Sequence, residues 1–197
     1  MIQIINTGVA NIRSLQAAFD RLGQPWNLTE DPALIRDATH VVLPGVGAYA
    51  AAARAIDALD LRSTIVDRLN DPDKSTLCIC LGMQLLGSSS EESPGVEGLG
   101  IIEGQITRFS DGVQVPQLGW NNVVPDPSCS DTVYPAGDAY FANSFRLLDP
   151  PKGWNFATTD YDGQFVSSIW RGKTLACQFH PELSGDWGQQ LLKDWAK

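Results

Sequence analysis

Only two histidines, His40 and His180, occur in the 197 residues. Any chemistry that needs an imidazole must use one of them. Positive charge is also short: 14 Lys and Arg stand against 23 Asp and Glu, a formal net charge of −9. That balance argues against a general nucleic-acid or membrane-surface binder, since both need a basic face. No apolar run approaches the roughly 18–20 residues of a membrane span. The N-terminal Met1-Ile2-Gln3-Ile4-Ile5 lacks the charged region of a secretory signal and reads as a first strand. Four cysteines, Cys78, Cys80, Cys129 and Cys177, are too few to staple a chain of this size, so no disulfide framework is expected. Cys78 and Cys80 stand two apart in an apolar run, where alternate side chains share a face, but no zinc knuckle or redox pair has that spacing. A reducing cytoplasm is the simplest home. The acidic residues show no ligand spacing and read as a solvated surface, so neither metal nor cofactor is expected.

What remains is enough to bury a core. At 43% hydrophobic and 19% charged, the chain is composed like a single globular domain over residues 1–197. Its first half alternates strand and helix signals. Ile2 to Asn6 is a short apolar run. Asn11 to Leu22 carries apolar residues at helical spacing, with Gly23 as the stop. Val41-Val42-Leu43 is a buried strand ending in Pro44-Gly45-Val46-Gly47. A helix over Ala48 to Leu69 follows, with a break near Asp60. Thr76 to Cys80 is another buried strand, and Leu81 to Leu86 begins a helix. This alternation predicts an α/β fold: a parallel or mixed sheet flanked by helices. From Gly98 onward short β segments dominate, at Gly100 to Phe109, Trp120 to Val124, Tyr140 to Phe145, Gln164 to Trp170 and Thr174 to Phe179. They predict an additional antiparallel β portion, closed by a helix from about Ser184 to Trp195.

Two constellations carry chemistry. In Thr76 to Gln84 a buried strand delivers Cys80 to its C-terminal end, and Gly82 permits a sharp turn into a helix. This is the layout of a nucleophile elbow. A helix N-terminus favours thiolate over thiol, and the Leu81 amide would point where an oxyanion forms. Cys80 equally fits the role of most free cysteines, a small buried apolar residue; Cys78, with no elbow, fits it better. In Gln178-Phe179-His180-Pro181-Glu182 an imidazole is followed at i+2 by a carboxylate, on the same face of an extended stretch. A carboxylate on one ring nitrogen fixes the tautomer and frees the other nitrogen to move a proton. His40, inside a strand, does not compete. A third segment, Pro44 to Gly47, lacks phosphate-loop spacing and any Lys, but its position after a parallel strand suits it to complete an oxyanion hole.

These residues resemble those of the class I (triad) glutamine amidotransferases, in Cys-Leu-Gly-Met-Gln-Leu-Leu at 80–86 and Phe-His-Pro-Glu at 179–182. Within that class the chain is similar to the glutaminase subunits of imidazole glycerol phosphate synthase, which serve histidine biosynthesis. Pro44 to Gly47, Met83, Ser90-Glu91-Glu92, Leu118-Gly119-Trp120-Asn121 and Tyr140-Phe141 carry that closer likeness, and it covers essentially the whole chain. The resemblance implies a flavodoxin-like sheet and a reaction without cofactor. It implies that Cys80 attacks the amide of L-glutamine, His180 passes a proton to the leaving ammonia, and Glu182 orients His180. It also implies that Leu81, Val46 and Gly47 supply backbone amides to the oxyanion, after a peptide of the glycine turn reorients. Gln84, Glu92, Asn143, Ser144 and Phe145 match positions that hold the substrate. Trp120, Asn121, Tyr140 and Leu183 match an interface with a (β/α)₈ cyclase, which would form a heterodimer with this chain and use its ammonia to make imidazole glycerol phosphate and an aminoimidazole carboxamide ribonucleotide.

The departures are specific. The family pattern has Gly at Cys78, His at Gln117, His-Ser-Tyr or a near variant at Asn143-Ser144-Phe145, and a basic residue at Leu183. Leu183 would lose an ion pair to the partner, worth about 0–1 kcal/mol when exposed. Two other readings therefore stand beside the first: the same glutaminase feeding a different acceptor, and a non-catalytic regulatory relative. The intact Cys80, His180 and Glu182 speak against the second.

Overall fold

Runs such as Ile2–Ile5, His40–Leu43 and Ser75–Ile79 are apolar without polar alternation, which suits strands covered on both faces. A computed structural model describes residues 1–8, 12–129 and 133–197. The first half contains β1 (Ile2–Ile5), α1 (Arg13–Arg21), β2 (Trp26–Thr29), α2 (Pro32–Asp37), β3 (His40–Leu43), α3 (Tyr49–Ala58), α4 (Arg62–Asn70), β4 (Ser75–Ile79) and α5 (Leu81–Gln84). The second half is mostly strand: β5 (Ser89–Ser90), β6 (Gln105–Arg108), β7 (Gln117–Pro125), β8 (Gly137–Asn143), β9 (Phe145–Leu147), β10 (Asn155–Asp160), β11 (Gln164–Arg171) and β12 (Thr174–Cys177). A 3₁₀ turn at Pro181–Leu183 and α6 (Gly185–Trp195) close the chain.

All the strands join one sheet, whose main path runs β2-β1-β3-β4-β12-β11-β10-β7-β8. The first five are mutually parallel and the rest of that path is antiparallel. Strand β12 is the seam: it lies parallel to β4 on one side and antiparallel to β11 on the other. Side chains of the central strands alternate between two cores. Val41, Leu43, Cys78 and Ala176 face the cluster under α3 and α4, while Val42, Leu77, Ile79 and Leu175 face the one under α1 and α6. Helices thus cover both faces, as the alternation of the first half predicts. Among the described residues no helix is long and apolar enough to cross a membrane.

Several elements differ from the sequence expectation. The long helix does break, at Asp60 with φ +54, but into two helices of ordinary length. The helix expected over Leu81 to Leu86 is one turn, ending at Gln84. The strand expected over Tyr140 to Phe145 is two, β8 and β9, divided at Ser144. The first helix starts at Arg13; Asn11 lies outside the described residues. Strands β2 and β10 and helix α2 were not expected. The signal for α2 is local: Asp31 accepts from the Ala33 amide at 2.8 Å, and Pro32 opens the helix.

At the N-terminal ends of the parallel strands Arg68 of α4 is buried. Its guanidinium donates to the carbonyls of Ile35, Ala38, Thr39 and Ser75 and to the Thr76 hydroxyl, at 2.8–3.1 Å. Burial lowers its pKa to about 10, with Asp71 opposing, so it stays charged at neutral pH. One side chain thus satisfies carbonyls at the end of α2 and at the starts of β3 and β4. Replacing Arg68 with Ala leaves those acceptors unpaired, each at about 1–3 kcal/mol. A urea titration of Arg68→Ala is expected to show a loss of about 3 kcal/mol or more. A midpoint unchanged from the parent would refute this role for Arg68.

Candidate active site

Strands β3, β4 and β12 end at the same edge of the sheet, and the segment after each enters one cleft. That is where sites form in α/β sheets. After β3 comes the turn Pro44 to Gly47, after β4 comes Cys80, and after β12 comes Gln178 to Glu182.

Cys80 has φ +53 and ψ −110, a backbone conformation rare outside glycine and costing about 1–3 kcal/mol. Hydrogen bonds hold it there: Cys80 N donates to Cys177 O at 2.7 Å, and Cys80 O accepts from Met83 N at 3.0 Å and Gln84 N at 3.2 Å. The turn corrects one expectation. Cys78 and Cys80 do not share a face, because the left-handed residue swings Cys80 into the α1/α6 cluster while Cys78 packs with the other. The turn also revises the part given to Gly82, since the left-handed dihedral falls on Cys80 itself. Gly82 serves close approach: a Cβ there would run into the Leu43 carbonyl oxygen, and one on Gly45 would lie 2.5 Å from Gly82 N. The two glycines let the ends of β3 and β4 touch backbone to backbone. Across that contact Leu81 N donates to Gly45 O at 3.3 Å. Burial raises the Cys78 thiol to about 12 and puts Cys177 well above its usual range, so both stay protonated near neutrality.

His180 is buried, and its Nδ1 lies 2.8 Å from Glu182 Oε1. Cys80 stands close enough to the ring to act on its charge, from the same cleft. Burial lowers the imidazole pKa, but Cys80 and Glu182 outweigh it and raise the value to about 10. The other Glu182 oxygen, Oε2, is buried with no hydrogen-bond partner. Ser184 anchors this segment: its hydroxyl donates to His180 O at 2.6 Å and accepts from Tyr140 N at 2.9 Å, while His180 N donates to Tyr140 O at 2.9 Å. The imidazole segment is thereby tied to β8.

Cys80 and His180 open on a cleft of about 330 Å³, together with Val46, Gly47, Leu81, Gln84, Glu92, Asn143, Ser144 and Phe145. Glu182 stands behind His180. Glu92 Oε2 accepts from Tyr49 N at the start of α3, at 3.1 Å. The Gln84 amide nitrogen donates to Phe145 O at 3.1 Å and to Gln178 Oε1 at 2.9 Å. Asn143 Nδ2 donates to the same Phe145 carbonyl at 3.0 Å, and its Oδ1 is buried without a partner. Its cross-strand neighbour Gln117 is also buried, with an unpartnered amide oxygen.

The four residues matched to an interface lie outside the cleft. Trp120 (58% exposed) stacks edge-on against Tyr140, and Leu183 (41% exposed) follows His180 by three residues. Leu118 (59% exposed) joins this apolar surface and was not expected there. Asn121 donates to Asp160 O at 2.9 Å and lines a separate cleft of about 580 Å³ between β7 and β10. That larger cleft holds no cysteine or histidine. Sequence reasoning also passed over Gln178 and Ser184. Gln178 stands two before His180, so strand alternation was a usable signal; Ser184 carried none.

A family model for class-I glutamine amidotransferases matches residues 4–197. Similar proteins include the imidazole glycerol phosphate synthase subunit HisH of Moorella thermoacetica, 39% identical over 198 residues covering 100% of this chain and 94% of that one. HisH of Thermococcus kodakarensis is 37% identical over 204 residues, covering 100% of both chains. The chloroplastic imidazole glycerol phosphate synthase hisHF of Arabidopsis thaliana is 37% identical over 201 residues, which cover 98% of this chain and 33% of the plant protein. Among solved structures, a glutamine amidotransferase aligns over 100% of this chain and 99% of its own with a TM-score of 0.78, at 17% identity, so the fold is shared. The match runs through both chemical motifs and nearly the full length, and the chain belongs to the class-I glutamine amidotransferase family.

Proposed function

We propose that this chain hydrolyses L-glutamine through Cys80, His180 and Glu182, and that it supplies the ammonia to a (β/α)₈ cyclase as the HisH-type subunit of imidazole glycerol phosphate synthase. The observation that carries the reading is the convergence of Cys80 and His180, from neighbouring parallel strands, on one cleft with Glu182 bound behind the imidazole.

The chemistry follows from that arrangement. The Cys80 thiol passes its proton to His180 as its sulfur attacks the side-chain amide carbon, and a tetrahedral oxyanion forms. His180 gives its proton to the departing nitrogen as the C–N bond breaks, leaving a thioester on Cys80. Water, deprotonated by His180, then releases glutamate and restores the thiol. A high imidazole pKa keeps the proton on His180 until the amine is ready to take it. Glu182, buried and bound to Nδ1, balances the charge through each transfer. Asn143 lines the cleft, and Glu92, held at the start of α3, suits the ammonium group of the substrate.

The oxyanion hole needs a rearrangement. The Leu81 amide is occupied by Gly45 O. Rotating the Gly45–Val46 peptide withdraws that carbonyl, frees the Leu81 N–H and turns the Val46 N–H inward. Gly47, at φ +105, sits in a conformation that side chains resist, so the turn is built for unusual dihedrals. One well-placed donor is worth about 10²–10³ in rate, so the peptide's position acts as a switch.

The partner reading rests on the HisH relatives and on the plant protein, in which the matched region is one third of a longer chain. The apolar surface of Leu118, Trp120 and Leu183, next to the segment carrying His180, suits a docking face. Leu183, apolar where the family pattern is basic, keeps a different ammonia acceptor as the second reading.

Cys80→Ala is expected to abolish glutamine hydrolysis, while Cys78→Ala keeps it, and a thiol-directed glutamine analogue should label Cys80 alone. Equal labelling of Cys78 or Cys177, followed by mass spectrometry, would contradict the assignment. The isolated chain should be a poor glutaminase, and the cyclase loaded with its ribonucleotide should accelerate it by about 10²-fold or more. Steady-state assays of the chain, the complex and the liganded complex decide this. A lone chain as fast as the liganded complex would mean a preformed hole, and a cyclase that neither binds nor activates would favour another acceptor.

A further inference from the structure

The buried side chain of Gln178 is not part of the triad, yet it faces the reacting sulfur. Its Nε2 lies 3.7 Å from Cys80 Sγ, within reach of an N–H to sulfur hydrogen bond. Amide nitrogen and oxygen are interchangeable in shape, so the polarity of such a contact normally rests on an assignment. Here the surroundings fix it. The Phe145 carbonyl can only accept, so Gln84 must turn its NH₂ toward it. The second hydrogen of that NH₂ points to Gln178, which must therefore present its oxygen. The remaining end of Gln178, its own NH₂, is then left facing Cys80. Asn143 Nδ2 adds a second donor to the same carbonyl and reinforces the order.

We propose that Gln178 is a positioning residue that donates a hydrogen bond to the Cys80 sulfur, holding it toward the cleft and stabilising its thiolate, with Gln84 and the Phe145 carbonyl fixing the direction of the amide. The proposal deepens the reading of Cys80 as nucleophile and rests on it. A thiolate is a better acceptor than a thiol, so the contact strengthens when the sulfur carries charge and again when it leaves the thioester. His180 cannot perform this service throughout, because it gives its proton away during the reaction. Gln178 is neutral and holds its hydrogen at every stage. The ionisable groups around the sulfur are His180, with Glu182 behind it, and Glu92 in the same cleft; Cys78 and Cys177 are buried in the paired strands β4 and β12.

The test reads the sulfur directly and needs no glutamine. Alkylation of Cys80 by iodoacetamide, followed by peptide mass spectrometry, would be measured from neutral to alkaline pH in the parent, Gln178→Met and Gln178→Glu. In Gln178→Met the rate at pH 7 is expected to fall about tenfold, the scale of a lost hydrogen bond to a charged group, while the alkaline plateau is kept. Gln178→Glu, which offers no hydrogen and adds like charge, should fall further. A parent-like rate at pH 7 in Gln178→Met, or an equal fall at every pH, would overturn the proposal, the latter because it marks a merely structural loss. Should either variant fail to fold, the unsubstituted protein still decides: the side-chain amide protons of Gln178 should shift in an NMR titration with the midpoint of the alkylation profile, and a resonance indifferent to it refutes the contact. A protein that lacks glutaminase activity but shows both signatures would defeat the proposed reaction and leave the contact standing.

Discussion

The backbone contact between the ends of β3 and β4 is the constraint from which the cleft is built. Leu43 and Gly45 on one side meet Leu81 and Gly82 on the other with no room for a Cβ at either glycine. Only at that separation can the Leu81 amide reach the Gly45 carbonyl and the elbow hold Cys80 at a positive φ. The strain at Cys80 persists because the sheet over-determines it: β4 is paired on both sides, and the Cys80 amide is held by Cys177. The packed sheet thus stabilises a local geometry that the segment would not adopt alone.

Polar groups in the site are few, buried and arranged in series. Glu182 holds His180, His180 meets Cys80, and Gln178 and Gln84 run from Cys80 to the Phe145 carbonyl. In a low-dielectric setting each such contact is stronger than in water, and each unpaired group costs more. Two of the unpartnered buried atoms, Glu182 Oε2 and Asn143 Oδ1, belong to residues at the site, while others, such as Thr7 Oγ1 and Ser167 Oγ, lie elsewhere. Such vacancies at a site mark where chemistry competes with stability.

How much of this was legible in the sequence depended on the range of the signal. The doubly covered strands β1, β3 and β4 announced themselves as apolar runs, and the Cys80 and His180 segments by short spacing. Their meeting was not readable from spacing, since the β4–β12 pairing spans about a hundred residues of chain; the family resemblance supplied it. Strand β2 was missed because its first three residues are only half-buried and its buried end is the polar Thr29, and α2 because six residues show little periodicity. The shared face expected for Cys78 and Cys80 failed because strand alternation stops where φ changes sign. The motif that placed Asn121 beside Trp120 carried no sign that neighbours along β7 point to opposite sides.

Strand β12 enters late in the chain yet lies between β4 and β11, at the seam of the parallel and antiparallel halves. During synthesis, which proceeds from the N-terminus, β1, β3 and β4 are available to associate well before residues 174–182 exist. A nascent chain ending before residue 174 has its cysteine but lacks both the Cys177 carbonyl that holds the Cys80 amide and the His180 imidazole. The seam strand therefore serves as a checkpoint in time: Cys80 and His180 come together only when the two halves of the sheet have closed upon each other.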